Sequence, residues 1–281
     1  MNSLKFMLLV LIIAISGSNY SQQDSTKKYG WLPGAVVGFN ISQIALSNWT
    51  QGGDNSISWS FLGTGSIDYI SDDWNFKNSL KINYGKTKLG SADFRTSENE
   101  FFFQTVLSKY IGWALDPFIS NTVKTAISAG YDYKTTPITK IADFWDPGYL
   151  TQSLGFIYNK SEAISTRLGI AFQETFTNKF QNYSADKNGN LKKFRFDTGI
   201  ESVTEGHFNI YTNMMLKSSL RLFSRFESMD VWDVRWDNVI VSKINDLFNV
   251  SLAWLVVYEK QQSPKTQLKE GLQLGVAYVL Y

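Results

Sequence analysis

Charged side chains set at every second position, between apolar ones, are the residues of this chain whose types and spacing carry chemistry. Lys77, Lys81, Arg167, Lys217, Arg221, Asp233, Arg235 and Asp237 all lie in such runs. Successive side chains of a strand point to opposite faces, so residues two apart share a face. By that parity the same face collects Asp68, Glu98, Glu100, Lys124, Arg195, Asp197, Glu201, Lys243 and Lys269. A buried ion without a partner costs several kcal/mol. So many charges on one face therefore call for mutual pairing or for water. Two chemistries follow. One is an interior plugged by ion pairs. The other is a narrow hydrated passage with a mild preference for anions, since rings of lumen charge set selectivity. The eight residues named first are the candidate lumen-lining, solute-binding set.

Other chemistry is weakly represented. The chain has one His and no Cys. That removes disulfides, thiol nucleophiles, cysteine zinc sites and iron–sulfur clusters, and it makes a His-based metal site within one chain hard to build. No metal or cofactor is expected. His207 falls on the polar face, but neither Ser202 nor Ser219 is placed beside it convincingly, so no Ser–His catalytic pair is assigned. Asp186, Asn188 and Asn190 have the oxygen spacing of a calcium loop, yet Gly189 is fourth in the run and not sixth. Asn188-Gly189 reads instead as a tight turn. The formal net charge of +2 gives no case for a nucleic-acid partner.

The elements that must position these charges are strands. From 55 to 70, Ile57, Trp59, Phe61, Ile67 and Tyr69 alternate with Ser56, Ser58, Ser60, Ser66 and Asp68. The same period of two recurs to the end of the chain. It predicts about twelve strands, over 33–43, 55–70, 74–87, 97–110, 118–131, 149–159, 163–175, 194–204, 206–223, 231–243, 247–259 and 267–281. Asn78, Asn238 and Glu270 fall on the apolar face, and Phe101-Phe102-Phe103 breaks the alternation. A bulge or a shifted register is the expected cause.

Three features favour a membrane barrel over a soluble sandwich. Strand plus connection averages roughly 22 residues, against turn signals every 8–12 in sandwiches. Trp59 and Tyr69, Trp74 and Tyr84, and Phe248 and Tyr258 are each ten residues apart on the apolar face. That interval spans about 25 Å of tilted strand, the height of a lipid-facing band between aromatic girdles. Connections also alternate in length. Ser71-Asp72-Asp73, Lys160-Ser161-Glu162, Thr204-Glu205-Gly206 and Asn245-Asp246 read as tight turns, while 132–148 and 176–193 are long. The expected fold is an all-β transmembrane antiparallel barrel of the bacterial outer-membrane type.

Residues 6–15, FMLLVLIIAI, follow one Lys and precede small residues. This is the pattern of a secretory signal peptide, cleaved after Ser18 or Ser21. The expected organisation is a signal peptide over 1–21, an N-terminal periplasmic segment over 22–32 and a barrel over 33–281. The expected surroundings are outer-membrane lipid, the outer-membrane insertion machinery during biogenesis, and other envelope proteins as further partners.

The run Asn48-Trp49-Thr50-Gln51-Gly52-Gly53-Asp54-Asn55-Ser56 resembles the signature N-W-x-x-G-G-x-N-S of an uncharacterised family of bacterial outer-membrane proteins, a domain of unknown function. Residues 74–85, Gly130-Tyr131-Asp132-Tyr133, Pro147-Gly148-Tyr149-Leu150 and the stretch 209–281 are similar to it as well. The chain departs at its end, Tyr278-Val279-Leu280-Tyr281, where relatives tend to close with aromatics two apart. The resemblance implies an outer-membrane barrel and no established activity. Within the signature, Trp49, Gly52, Gly53 and Asn55 are candidate loop contacts for a partner, against a plain reading as turn and rim packing. The expected function is non-enzymatic: a narrow, porin-like pore for small polar solutes. The alternative is a structural or accessory subunit of an outer-membrane assembly, with a hydrolase around His207 behind both.

Overall fold

A computed structural model describes residues 29–48, 53–159, 161, 163–186, 189–245, 248–260, 263 and 265–279. The signal segment, Trp49, Gly52 and the terminal Tyr281 lie outside the described residues.

The strands, in chain order, are β1 (Gly30–Ile44), β2 (Ser56–Ile70), β3 (Trp74–Leu89), β4 (Arg95–Lys109), β5 (Asp116–Thr125), β6 (Gly130–Asp132), β7 (Thr139–Ala142), β8 (Gly148–Tyr158), β9 (Ile164–Phe176), β10 (Phe194–Tyr211), β11 (Met214–Arg225), β12 (Trp232–Lys243), β13 (Phe248–Tyr258) and β14 (Gln267–Val279). Twelve of them close into one antiparallel barrel, in the order β1-β14-β13-β12-β11-β10-β9-β8-β5-β4-β3-β2. The other two, β6 and β7, form a small separate hairpin. Closure leaves no open sheet edge, which is what allows strands to cross lipid. No helix among the described residues is long and apolar enough to cross a membrane.

The alternation sets what each face does. Ser56, Ser58 and Ser60 of β2 are buried in the interior, whereas Phe61 and Ile67 are exposed on the outer wall. The same inversion runs round the barrel, with Ile119, Leu154, Phe156, Leu168, Ile170 and Leu252 all outward and exposed. A water-soluble protein of this size would hide such residues; a lipid-facing wall displays them. Aromatic pairs mark the two rims. Trp31 packs against Tyr69 at one end, 5.1 Å between centroids, and Trp59 against Tyr84 toward the other, at 5.9 Å.

One end of the barrel, here the lower, carries both described termini and the connections at 71–73, 110–115, 159–163, 212–213 and 244–247. The upper end carries 45–55, 90–94, 126–147, 177–193, 226–231 and 259–266. The longest loops are thus all on one side, the arrangement of outer-membrane barrels.

Three expectations are corrected. Thr204-Glu205-Gly206 is not a turn: β10 runs through it to Tyr211, and the chain reverses at residues 212–213. The strand expected over 118–131 leaves the barrel at Thr125, and Gly130–Asp132 pairs with Thr139–Ala142 above the wall. The Phe101–Phe103 triplet needs no bulge, because Phe101, Phe102 and Phe103 stay in one register with Thr125, Lys124 and Val123. Phe102 simply points inward, beside Lys124. Nor does Asn238 need a shifted register. It faces outward and is 3% exposed, its Oδ1 accepting from Ser218 Oγ at 2.7 Å while Trp236 Nε1–H donates to the same hydroxyl at 3.1 Å. Asn78 is held likewise. Its amide donates to Ile67 O at 2.8 Å and accepts from Thr105 Oγ1 at 2.9 Å. Neighbouring strands thus satisfy the Asn78 amide at both ends and the Asn238 carbonyl, while Asn238 Nδ2 has no hydrogen-bond partner among the described residues.

Gly155 and Gly169 face each other across β8 and β9. A Cβ on Gly169 would lie 2.3 Å from the carbonyl oxygen of Leu154, and one on Gly155 2.2 Å from that of Leu168. Backbone cannot yield as a side-chain tip does, so these positions set how closely the two strands approach. Gly169→Val is expected to abolish refolding into a compact barrel, read as the loss of the folded band in unheated gels. A normal folding yield would show that the approach is adjustable.

Candidate functional site: the charged lumen

The interior charges are organised by height. Nearest the upper mouth, Arg195 Nε binds Asp197 Oδ1 at 2.8 Å. Arg225 bridges Asp197 and Asp233, at 3.2 and 2.7 Å. All four side chains are less than 10% exposed. Phe223, wholly buried, lies between the guanidinium groups of Arg221 and Arg225, at 5.4 and 5.3 Å from its centroid. Such stacking favours flat, weakly hydrated guanidinium over ammonium.

At mid-height the pairs reach across the lumen. Arg235 Nη2 donates to Glu100 Oε2 at 2.8 Å, and its Nε to Asp237 Oδ2 at 2.8 Å. Glu100 is on β4 and Arg235 on β12, six places apart in a ring of twelve, so this bridge spans the diameter. Lys81 Nζ joins Glu100 Oε1 at 3.0 Å. Beside it, Arg221 Nε binds Glu201 Oε1 at 2.7 Å and its Nη2 reaches Gln173 Oε1 at 3.1 Å. Ser153 Oγ closes the second carboxylate oxygen of Glu201 at 2.5 Å. Lys269 pairs with Glu98 nearer the top. These side chains form a constriction.

The lower half differs. Lys77, Arg167 and Lys217 point inward there and form no ion pair among the described residues; Glu205 is likewise unpaired. Arg167 is 5% exposed and its Nε has no hydrogen-bond partner. One wall at this level is dry. Val106, Phe118 and Ile157 form a buried apolar cluster, with Val203 also buried.

The structure therefore brings Lys81, Arg221, Arg235 and Asp237 together at the constriction, puts Asp233 above it and leaves Lys77, Arg167 and Lys217 below. Arg225, Phe223, Phe102 and the apolar cluster were not expected. Arg225 was legible, because it continues the parity Lys217, Ser219, Arg221, Phe223 past the point where the strand was expected to stop. His207 faces the lumen opposite Lys217. Ser202 points to the other face of the same strand, and the His207 side chain has no hydrogen bond among the described residues.

The upper loops are braced against each other. Asp146 accepts the backbone N–H groups of Asn178 and Lys179, at 2.9 and 2.8 Å, tying 126–147 to 177–193. Nearby, the hydrogen bond from Lys140, and then that from Phe144 N–H, hold the Asp143 carboxyl below its usual range. Asp186 is engaged by Asn190 N and Nδ2, at 2.9 and 3.0 Å, and by Lys192 at 3.3 Å, with Gly189 at φ +80°. Asp186 is thus held by its own loop, and Asn188 lies outside the described residues. No group of metal-ligating side chains occurs among the described residues. Of the signature loop, Asn55 Oδ1 accepts from Leu46 N at 2.6 Å, and Gly53 has φ +116°. Both serve the turn itself.

Two solved structures are similar to the chain. One is the translocator domain of the autotransporter NalP from Neisseria meningitidis, at 8% identity over 91% of this chain and 90% of that one, with a TM-score of 0.38. Another is the COG4313 outer membrane channel from Pseudomonas putida F1, at 10% identity over 94% and 98%, with a TM-score of 0.39. No curated protein matches. At residues 41–131 the chain matches the model of a family described as a protein of unknown function (DUF3078), which bears out its resemblance to an uncharacterised family over that stretch.

Proposed function

We propose that this chain, exported by its N-terminal segment, is an outer-membrane barrel that offers small polar solutes a narrow, anion-favouring passage. The observation that supports this reading is the imbalance of unpaired charge. Lys77, Lys124, Arg167 and Lys217 project inward without an ion pair among the described residues, against Asp68 and Glu205 on the acidic side, while Glu98, Glu100, Asp197, Glu201, Asp233 and Asp237 are all matched by cations. The surplus is positive, and fixed charge along a pore sets which ion is favoured. No catalytic step is proposed for His207.

Single-channel recording of the inserted barrel tests this. Discrete steps are expected, with a reversal potential favouring chloride under a salt gradient. Replacing Lys77 and Lys217 together by Gln should lower the chloride preference by about twofold or more. Silence from properly inserted protein overturns the reading. It would favour the alternative, a sealed barrel that serves as a structural subunit of an envelope assembly. The dry cluster of Val106, Phe118 and Ile157 supports that alternative.

A further inference from the structure

We infer that the upper lumen holds a binding site for a small oxyanion, of the size of inorganic phosphate, centred on Lys124. This rests on the reading of the lumen as an anion pathway and names the class of solute its mouth selects.

The site is a cavity of about 60 Å³ directly above the constriction. A cavity needs only about 10–15 Å³ on this measure to hold one water, so there is room for a small solute or several waters. Lys124 lies one residue from the upper end of β5, the end of the barrel that carries the long loops. Its ammonium has no ion pair among the described residues; it stands 5.8 Å from the centroid of the Tyr149 ring. Arg221 and Arg235 line the same cavity. Each spends Nε and Nη2 on the constriction, and the Nη1 of each carries no hydrogen bond among the described residues. Three cationic groups with unspent donors thus line one small space. Thr122 and Thr151 add hydroxyls from the neighbouring strands.

The carboxylates at the cavity do not cancel this. Asp233 is taken by Arg225 at 2.7 Å. Glu259, which follows the last residue of β13 at the mouth, acts electrostatically on Lys124, so the cavity sets three cations against this one remaining carboxylate. Charge-assisted donors converging in a partly desolvated space favour an acceptor with several oxygens over a spherical halide. Oxyanion binding here would also place the solute beside the Arg235–Glu100 bridge, where it competes with Glu100 for Arg235.

The test is calorimetric titration of the detergent-solubilised full-length barrel with inorganic phosphate, at constant ionic strength made up with chloride. Wild type is expected to bind, Lys124→Met to weaken binding about tenfold or more, and Lys124→Arg to restore most of it. Lys134→Met, on an exposed loop, should bind as wild type does. The inference is overturned if wild type shows no phosphate binding at millimolar concentration, or if Lys124→Met binds unchanged. The two readings fail separately. Phosphate binding by a barrel that is silent in bilayers leaves the site and removes the pore. A conducting barrel that ignores phosphate does the reverse.

Discussion

Replacing Arg221 and Arg235 together by Ala is expected to raise single-channel conductance by about twofold or more and to swing ion preference from anions toward cations. Both effects come from the same geometry. The two arginines are the longest side chains in the constriction, and Arg235 spans the lumen to Glu100. Removing them opens the narrowest level. It also leaves Glu100 with Lys81 as its remaining ion-pair partner and takes from Glu201 and Asp237 the arginines that pair them. Three carboxylates then face Lys81, with Lys124 above and Arg167 below as the other cations in reach, and the local charge shifts by two units toward negative. Each single variant should move conductance in the same direction by less, because the other arginine still obstructs. Unchanged conductance and unchanged reversal potential in the double variant would mean that ions do not pass this level at all. The lumen would then be sealed elsewhere, with the apolar cluster of Val106, Phe118 and Ile157 as the first place to look.

The faces of this barrel were legible in the sequence because each strand meets two different solvents. Along 55–70, lipid demands Trp59, Phe61, Ile67 and Tyr69, and the lumen admits Ser56, Ser58, Ser60 and Asp68, so the period of two is written in the residue types. Parity assigned the charges of the constriction to the interior for the same reason. It could not assign partners. Arg235 and Glu100 are 135 residues apart, and their meeting depends on barrel closure and on the number of strands. Turns were less legible. Thr204-Glu205-Gly206 has turn-like composition but lies within β10, where Gly206 is covered by Phe208. The true reversal uses Thr212-Asn213, between Asn209-Ile210-Tyr211 and Met214-Met215-Leu216, with no Gly or Pro to mark it. Phe102, Phe118 and Phe223 were missed because a lumen is not uniformly polar. Where guanidinium groups stack, or where no charge reaches, an aromatic ring fills the space better than water does.

Arg225→Met is expected to destabilise the barrel by about 3–5 kcal/mol, the cost of orphaning a buried ion-pair network. Arg225 is the shared cation of Asp197 and Asp233, and none of the three is more than 7% exposed. Its loss leaves Arg195 to serve Asp197 and nothing of comparable proximity to serve Asp233. The replacement was chosen to separate charge from packing. Met keeps a long apolar stem and a sulfur contact for the Phe223 ring, so the cavity left behind is small. The cause can then be isolated by compensation. Arg225→Met combined with Asp197→Asn and Asp233→Asn removes the orphaned charges and should recover most of the loss, since neutral amides cost far less to bury than carboxylates. Urea unfolding of the vesicle-inserted barrel, followed by tryptophan fluorescence, measures both. A single variant that loses less than about 1 kcal/mol would mean that water or the upper loops screen Asp233 in the native state. A triple variant no better than the single would place the stabilisation in the stacking of Arg225 on Phe223 rather than in its two carboxylates.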